Sequence, residues 1–138
     1  MRIKRREGET QLTDEEVILR RERIARAREF LSGYQVCLDM LHLRRYERKR
    51  AHRFPLECAC DDIFAGNEAY WRARMNDVSA LLNAMKNSRE KVVLYDHYVR
   101  GESIERIADY LDVSRRTGYR IHERGLYSAA LILERMKR

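Results

Sequence analysis

The sequence predicts an all-α protein: long N-terminal helices followed by a C-terminal helix-turn-helix. Three observations predict it. Charged residues make up 37% of the 138 residues, with six glycines and a single proline, Pro55; that balance suits charged helix surfaces rather than a turn-rich sheet. Apolar residues between Ile24 and Leu41 recur every three or four positions, the period of one helix face. Between about Ser88 and Leu126, short helical patterns follow one another across tight, capped turns.

From the N-terminus, residues 1–11 read as a basic arm. Thr13-Asp14-Glu15-Glu16 reads as a capping box, a hydroxyl followed three residues later by a carboxylate, with acids favoured by the helix dipole. A long helix follows, with Ile24, Ala27, Leu31, Tyr34, Leu38 and Leu41 as its seam. Ser32-Gly33 is a place for a kink or a split. The seam can pack inside the chain or against a second copy. Residues 51–66 hold Pro55 and the acids Glu57, Asp61 and Asp62, and read as a connector. A further helix is expected over about 67–86, with Tyr70, Met75, Val78, Leu81, Leu82 and Met85 as apolar positions. The predicted division is 1–66, an N-terminal helical region, and 67–138, the domain that carries the helix-turn-helix.

The C-terminal pattern is the most specific. Ser88 is the expected cap of a helix whose apolar stripe is Val93, Leu94, His97 and Tyr98. Gly101 is placed to end it in a left-handed conformation. Ser103 caps the next helix, whose apolar face is Ile104, Ile107, Ala108 and Leu111. Asp112-Val113 turns the chain, and Ser114 caps a third helix. Two short helices crossing steeply across a tight turn need a small residue at the crossing, and Ala108 supplies it. The N-terminal end of the third helix is the part that reaches base edges in the major groove. It carries Arg115, Arg116, Thr117, Tyr119 and Arg120, with no acid before Glu123.

Ile104-Glu105, Ile107-Ala108, Leu111, Val113-Ser114 and Thr117, with Arg120-Ile121 and Leu126 beyond, resemble the C-terminal DNA-binding region of sigma factors. The preceding helix, with Arg89-Glu90 and His97-Tyr98, fits the same pattern. The likeness covers roughly residues 70–134. Among short proteins of this layout the chain looks like phage late-operon transcriptional regulators of the ArpU/RinA type. That resemblance implies an activator of phage late genes, acting in the cytoplasm of a bacterial host cell. Gly118 stands where the pattern prefers Val, and Gly125 where it prefers Ala. Each costs a helix interior about 1 kcal/mol relative to Ala, so Gly118→Ala is expected to stabilise the fold.

The candidate DNA-binding residues are Ser103, Ser114, Arg115, Arg116, Thr117, Tyr119, Arg120 and Arg124. Arg115, Arg116, Tyr119 and Arg120 are expected to read bases; Ser103, Ser114 and Arg124 are expected to set register on phosphates. The expected partners are double-stranded DNA, host RNA polymerase and a second copy of the chain, a dimer serving two half-sites. The alternative is a DNA-packaging or assembly protein, such as a small terminase-like subunit. Its usual order places the DNA-binding helices first, whereas here they come last.

The net charge of +7 and pI of about 9.6 favour a polyanionic partner. Residues 1–50 carry 14 Lys/Arg and 9 Asp/Glu, residues 51–87 carry 4 and 5, and residues 88–138 carry 11 and 8. Arg44 to Arg50 can touch phosphates or stand as a solvated helix end. Three cysteines, the basic start without an apolar stretch behind it, and the absence of a long apolar run lead to an expected cytosolic protein with free thiols. Cys37, Cys58 and Cys60 with His42 and His52 lack paired zinc spacing, so no metal or cofactor is expected. Glu57, Asp61, Asp62 and Glu68 read as solvated carboxylates rather than a nuclease cluster, and no enzyme is expected. His97 is expected in the core, His122 at the surface, and Tyr70 and Trp71 in the core.

Overall fold

The structure, a computed structural model, describes residues 13–54 and 67–136. The basic arm, most of the connector, Cys58 and Cys60, and the acids Glu57, Asp61 and Asp62 lie outside the described residues. Those described form five helices and no strand.

Helix α1 spans Asp14–Arg53, about 60 Å at 1.5 Å per residue. The expected capping box forms. Thr13 Oγ1 accepts from the Glu16 N–H at 3.2 Å, and Glu16 Oε2 accepts from the Thr13 N–H at 2.9 Å. The helix runs unbroken through Ser32-Gly33, in place of the expected kink or split. The Ser32 hydroxyl donates to the Arg28 carbonyl at 2.7 Å, a bond back along the helix that leaves the backbone helical. A Cβ at Gly33 would sit 3.9 Å from the Arg74 guanidinium.

Helix α2, Glu68–Ala84, packs along α1, with Arg48 bound to Glu68 at 2.5 Å. Trp71 is buried with Cys37 and Leu41. Tyr70, expected in the core, is 61% exposed; it is one residue from Trp71, and a 100° step turns it away from α1.

Helix α3, Ser88–Leu94, is capped by Asn87 rather than Ser88. Asn87 is extended and its Oδ1 accepts from the Glu90 N–H at 3.1 Å, so Ser88 already lies in the first turn. The helix widens into a π turn over Tyr95–Val99, closed by Arg100 N–H to Tyr95 O at 3.2 Å. Gly101 then reverses the chain at φ 76°, as its freedom at positive φ allows. Helices α4, Ile104–Tyr110, and α5, Arg115–Met136, complete the chain.

The main core draws on four helices: Ile24, Ala27 and Leu31 of α1, Val78, Leu81 and Leu82 of α2, Leu94 of α3, and Leu126, Ala129, Ala130 and Leu133 of α5. It therefore spans both sides of residue 66. Of the two destinations open to the α1 seam, these residues take the internal one: Ala27 and Leu31 have no exposed surface. Burying a leucine of this kind contributes about 1.5–3 kcal/mol. Gln35 adds a polar tie. Its Nε2 donates to the carbonyls of Tyr98 at 3.2 Å and Val99 at 2.6 Å, acceptors at a helix end that need partners.

Candidate nucleic-acid interface

A second, smaller core holds the helix-turn-helix together. Val93 of α3, Ile104 and Ile107 of α4 and Ile121 of α5 are buried in it, with Leu111 packed against them. Ser103 caps α4, its Oγ accepting from the Arg106 N–H at 3.2 Å. The turn between α4 and α5 places Asp112 at φ 56° and closes with Val113 N–H to Ala108 O at 3.0 Å. Asp tolerates this left-handed position better than most side chains. Ser114 then starts α5: its Oγ accepts from the Thr117 N–H at 3.1 Å and donates to Thr117 Oγ1 at 2.9 Å.

Gly118 and Ala108 set how closely α4 and α5 approach. A Cβ built on Gly118 would stand 2.8 Å from the Ala108 Cβ and 3.6 Å from Ile104. The glycine is thus a packing requirement, which corrects the expectation that alanine there stabilises the fold. Gly125 plays a milder version of the same part against α3, where a Cβ would meet Leu94 at 3.2 Å and Glu90 at 3.3 Å. Helix α5 runs on through it to Met136.

With Gly118 and Ile121 turned inward, α5 presents Arg115, Arg116, Tyr119, Arg120 and Arg124 to solvent, while Thr117 is half-buried. Arg115, Arg116, Arg120 and Arg124 make no ion pair among the described residues. The two serines occupy their hydroxyls in capping, so they offer a phosphate their backbone and remaining hydrogen-bonding capacity.

Glu105 enters this surface without a signal in the sequence, because it lies 14 residues before the group it binds. The Tyr119 hydroxyl donates to Glu105 Oε1 across the α4–α5 angle. That bond is the main cause holding the Glu105 carboxyl below its ordinary range, and it pushes the Tyr119 phenol up. The Arg115 charge favours the ionised form of both.

Behind the reading face, His97 Nδ1 meets the Glu102 carbonyl at 2.7 Å, and Tyr98 Oη is hydrogen-bonded to His122 Nε2 at 2.8 Å. His122, expected at the surface, is half-buried on α5 against His97 and Tyr98 of the π turn. Burial, reinforced by the His97 and Arg28 charges, pushes its pKa down to about 4. His97 is half-buried rather than fully in the core. Among the described residues no group of three His, Cys, Asp or Glu could hold a metal ion, and no helix is long and apolar enough to cross a membrane.

Residues 88–125 match the Homeodomain-like domain. The match begins with the first residue of α3 and ends at Gly125, within α5, so it covers the small core, the α4–α5 turn and every exposed arginine named above. This homeodomain-like segment supports DNA binding by the chain. No curated protein and no solved structure matches it.

Proposed function

We propose that the chain is a sequence-specific transcriptional regulator that lays the N-terminal half of α5 in the major groove of duplex DNA. The observation that carries this reading is the exposed, acid-free start of α5, held out by Gly118 and Ile121 on the homeodomain-like segment. Arg115, Arg116, Tyr119 and Arg120 read bases, with Arg on guanine the commonest specific contact. Ser103, Ser114, Thr117 and Arg124 fix the register on the backbone. The chain carries out no catalysis and needs no cofactor.

The finer role is activation of phage late genes, with host RNA polymerase as protein partner; the resemblance of residues 104–126 to sigma factors supports it. A dimer reads two half-sites about one helical turn apart, or a multiple of that. Selection of bound duplexes from a random pool tests the reading. A recurrent motif bound more tightly than its scrambled version, with binding that weakens steeply from low to moderate salt, is the expected result. A pool that stays random after selection would overturn it.

A further inference from the structure

We infer that the C-terminal end of α1 is a second phosphate-binding surface, separate from the reading face of α5. The charge of α1 is divided along its length. Residues 14–43 hold five arginines and six acids. Residues 44–53 hold Arg44, Arg45, Arg48, Lys49, Arg50 and Arg53 against the single acid Glu47. One half of the helix has a balanced surface, and the other is a concentrated cationic stretch.

The structure shows which of these charges are already used. Arg48 is bound to Glu68, and Glu68 is shared with Arg72. Arg45, Lys49, Arg50 and Arg53 are exposed and make no ion pair among the described residues. Tyr46, Lys49, Arg50 and Arg53 recur at spacings of three, one and three, so they share one solvent face of the helix. Tyr46 is 59% exposed there.

Helix-end electrostatics do not account for the stretch. Cations favour a helix C-terminus, but the effect fades within the last turn. It covers Arg50, His52 and Arg53, which form the last turn of α1, and leaves Arg45 and Lys49 without a structural reason. Those two also cost like-charge repulsion with their neighbours, which a polyanion would relieve. The stretch lies further along α1 than the residue that ties this helix to the helix-turn-helix. Gln35 is tied to the end of the π turn, and Arg45 lies about 15 Å further along the helix. A duplex that meets both this stretch and α5 would be contacted at two places. Duplex DNA is chosen as the polyanion on the strength of the α5 reading; the phosphate chemistry of the stretch stands without it.

The test compares the triple variant Arg45→Gln, Lys49→Gln, Arg50→Gln with a charge-matched control, Arg21→Gln, Arg26→Gln, Lys86→Gln. Glutamine is close to Lys and Arg in helix propensity, and far-UV circular dichroism checks that both fold. The single variant Lys49→Gln serves if the triple variant does not. Affinity is measured against salt for a selected duplex and for a scrambled one. The triple variant is expected to lose at least about tenfold on both duplexes alike, its salt slope falling in magnitude by about two to three, near one per lost phosphate contact. The single variant should lose about one. The control should lose much less. Equal losses in the two triple variants, or no loss in either, would overturn the inference. So would unchanged DNA binding with lost binding to phosphatidylserine vesicles, which would assign the stretch to a membrane surface. Arg116→Ala, measured alongside, separates the two readings: if it leaves selected-site binding unchanged while the stretch variants weaken it, the α5 reading fails and this one stands.

Discussion

Gly118 faces Ala108 so closely that a Cβ on the glycine would stand 2.8 Å from the alanine Cβ. The pair decides the angle at which α5 leaves α4, and so where the arginines of α5 point. Gly118→Ala gains about 1 kcal/mol in helix propensity but overpacks the crossing, at a cost of about 1–3 kcal/mol. The expected outcome is a net loss of stability in urea unfolding. Adding Ala108→Gly should recover most of it. A more stable single variant would show that the two helices can move apart at little cost.

Gln35 should matter out of proportion to its place on an otherwise apolar stretch of α1. Its amide satisfies the carbonyls of Tyr98 and Val99. Leaving such acceptors without a partner costs about 1–3 kcal/mol. Gln35→Leu should therefore lower stability by about that amount and speed amide exchange at Arg100, whose N–H bonds into the same π turn. Unchanged exchange there would remove Gln35 from the account of how α1 supports the DNA-binding segment.

His122 gives the fold a dependence on pH whose sign is fixed by its lowered pKa. The unfolded chain takes up the proton near pH 6.5, the folded chain only near 4. Stability contributed by neutral His122 is present above pH 6.5 and is lost as pH falls toward 4. The loss is on the order of 2 kcal/mol, allowing for partial solvent contact. His122→Gln keeps a hydrogen-bonding partner for Tyr98 and should flatten the stability curve over that window. A variant curve parallel to wild type would contradict the assignment.

Leu31 is fully buried in the four-helix core, so Leu31→Ala should cost about 2–5 kcal/mol. Its oligomeric mass in light scattering should equal that of wild type. A change of mass without a matching loss of stability would place Leu31 at a contact between copies.

The features that depend on near neighbours were legible in the sequence. The Thr13 capping box, the Ser103 cap and the left-handed Gly101 each need only a few adjacent residues. The small core was legible too, because Val93, Ile104, Ile107 and Ile121 share helical spacing with their turns. Gly118 was misread because its cost or benefit rests on Ala108, ten residues away, across a crossing the sequence does not dimension. The destination of the α1 seam was open because periodicity names a face but not its partner. The Asn87 cap was missed by one residue, since Asn87 and Ser88 are both good caps and only the backbone chooses. The bond from Tyr119 to Glu105 leaves no local mark at all.

In the proposed function α5 reads sequence through Arg116 and neighbouring side chains, with Arg124 about two turns beyond Arg116 on the backbone. Binding of Arg116→Ala and Arg124→Ala to a selected duplex and to its scrambled version tests it most directly. Arg116→Ala should lose about 1–3 kcal/mol on the selected duplex and little on the scrambled one, while Arg124→Ala should weaken both by similar amounts. Equal losses on the two duplexes for Arg116→Ala would contradict the placement of the reading face.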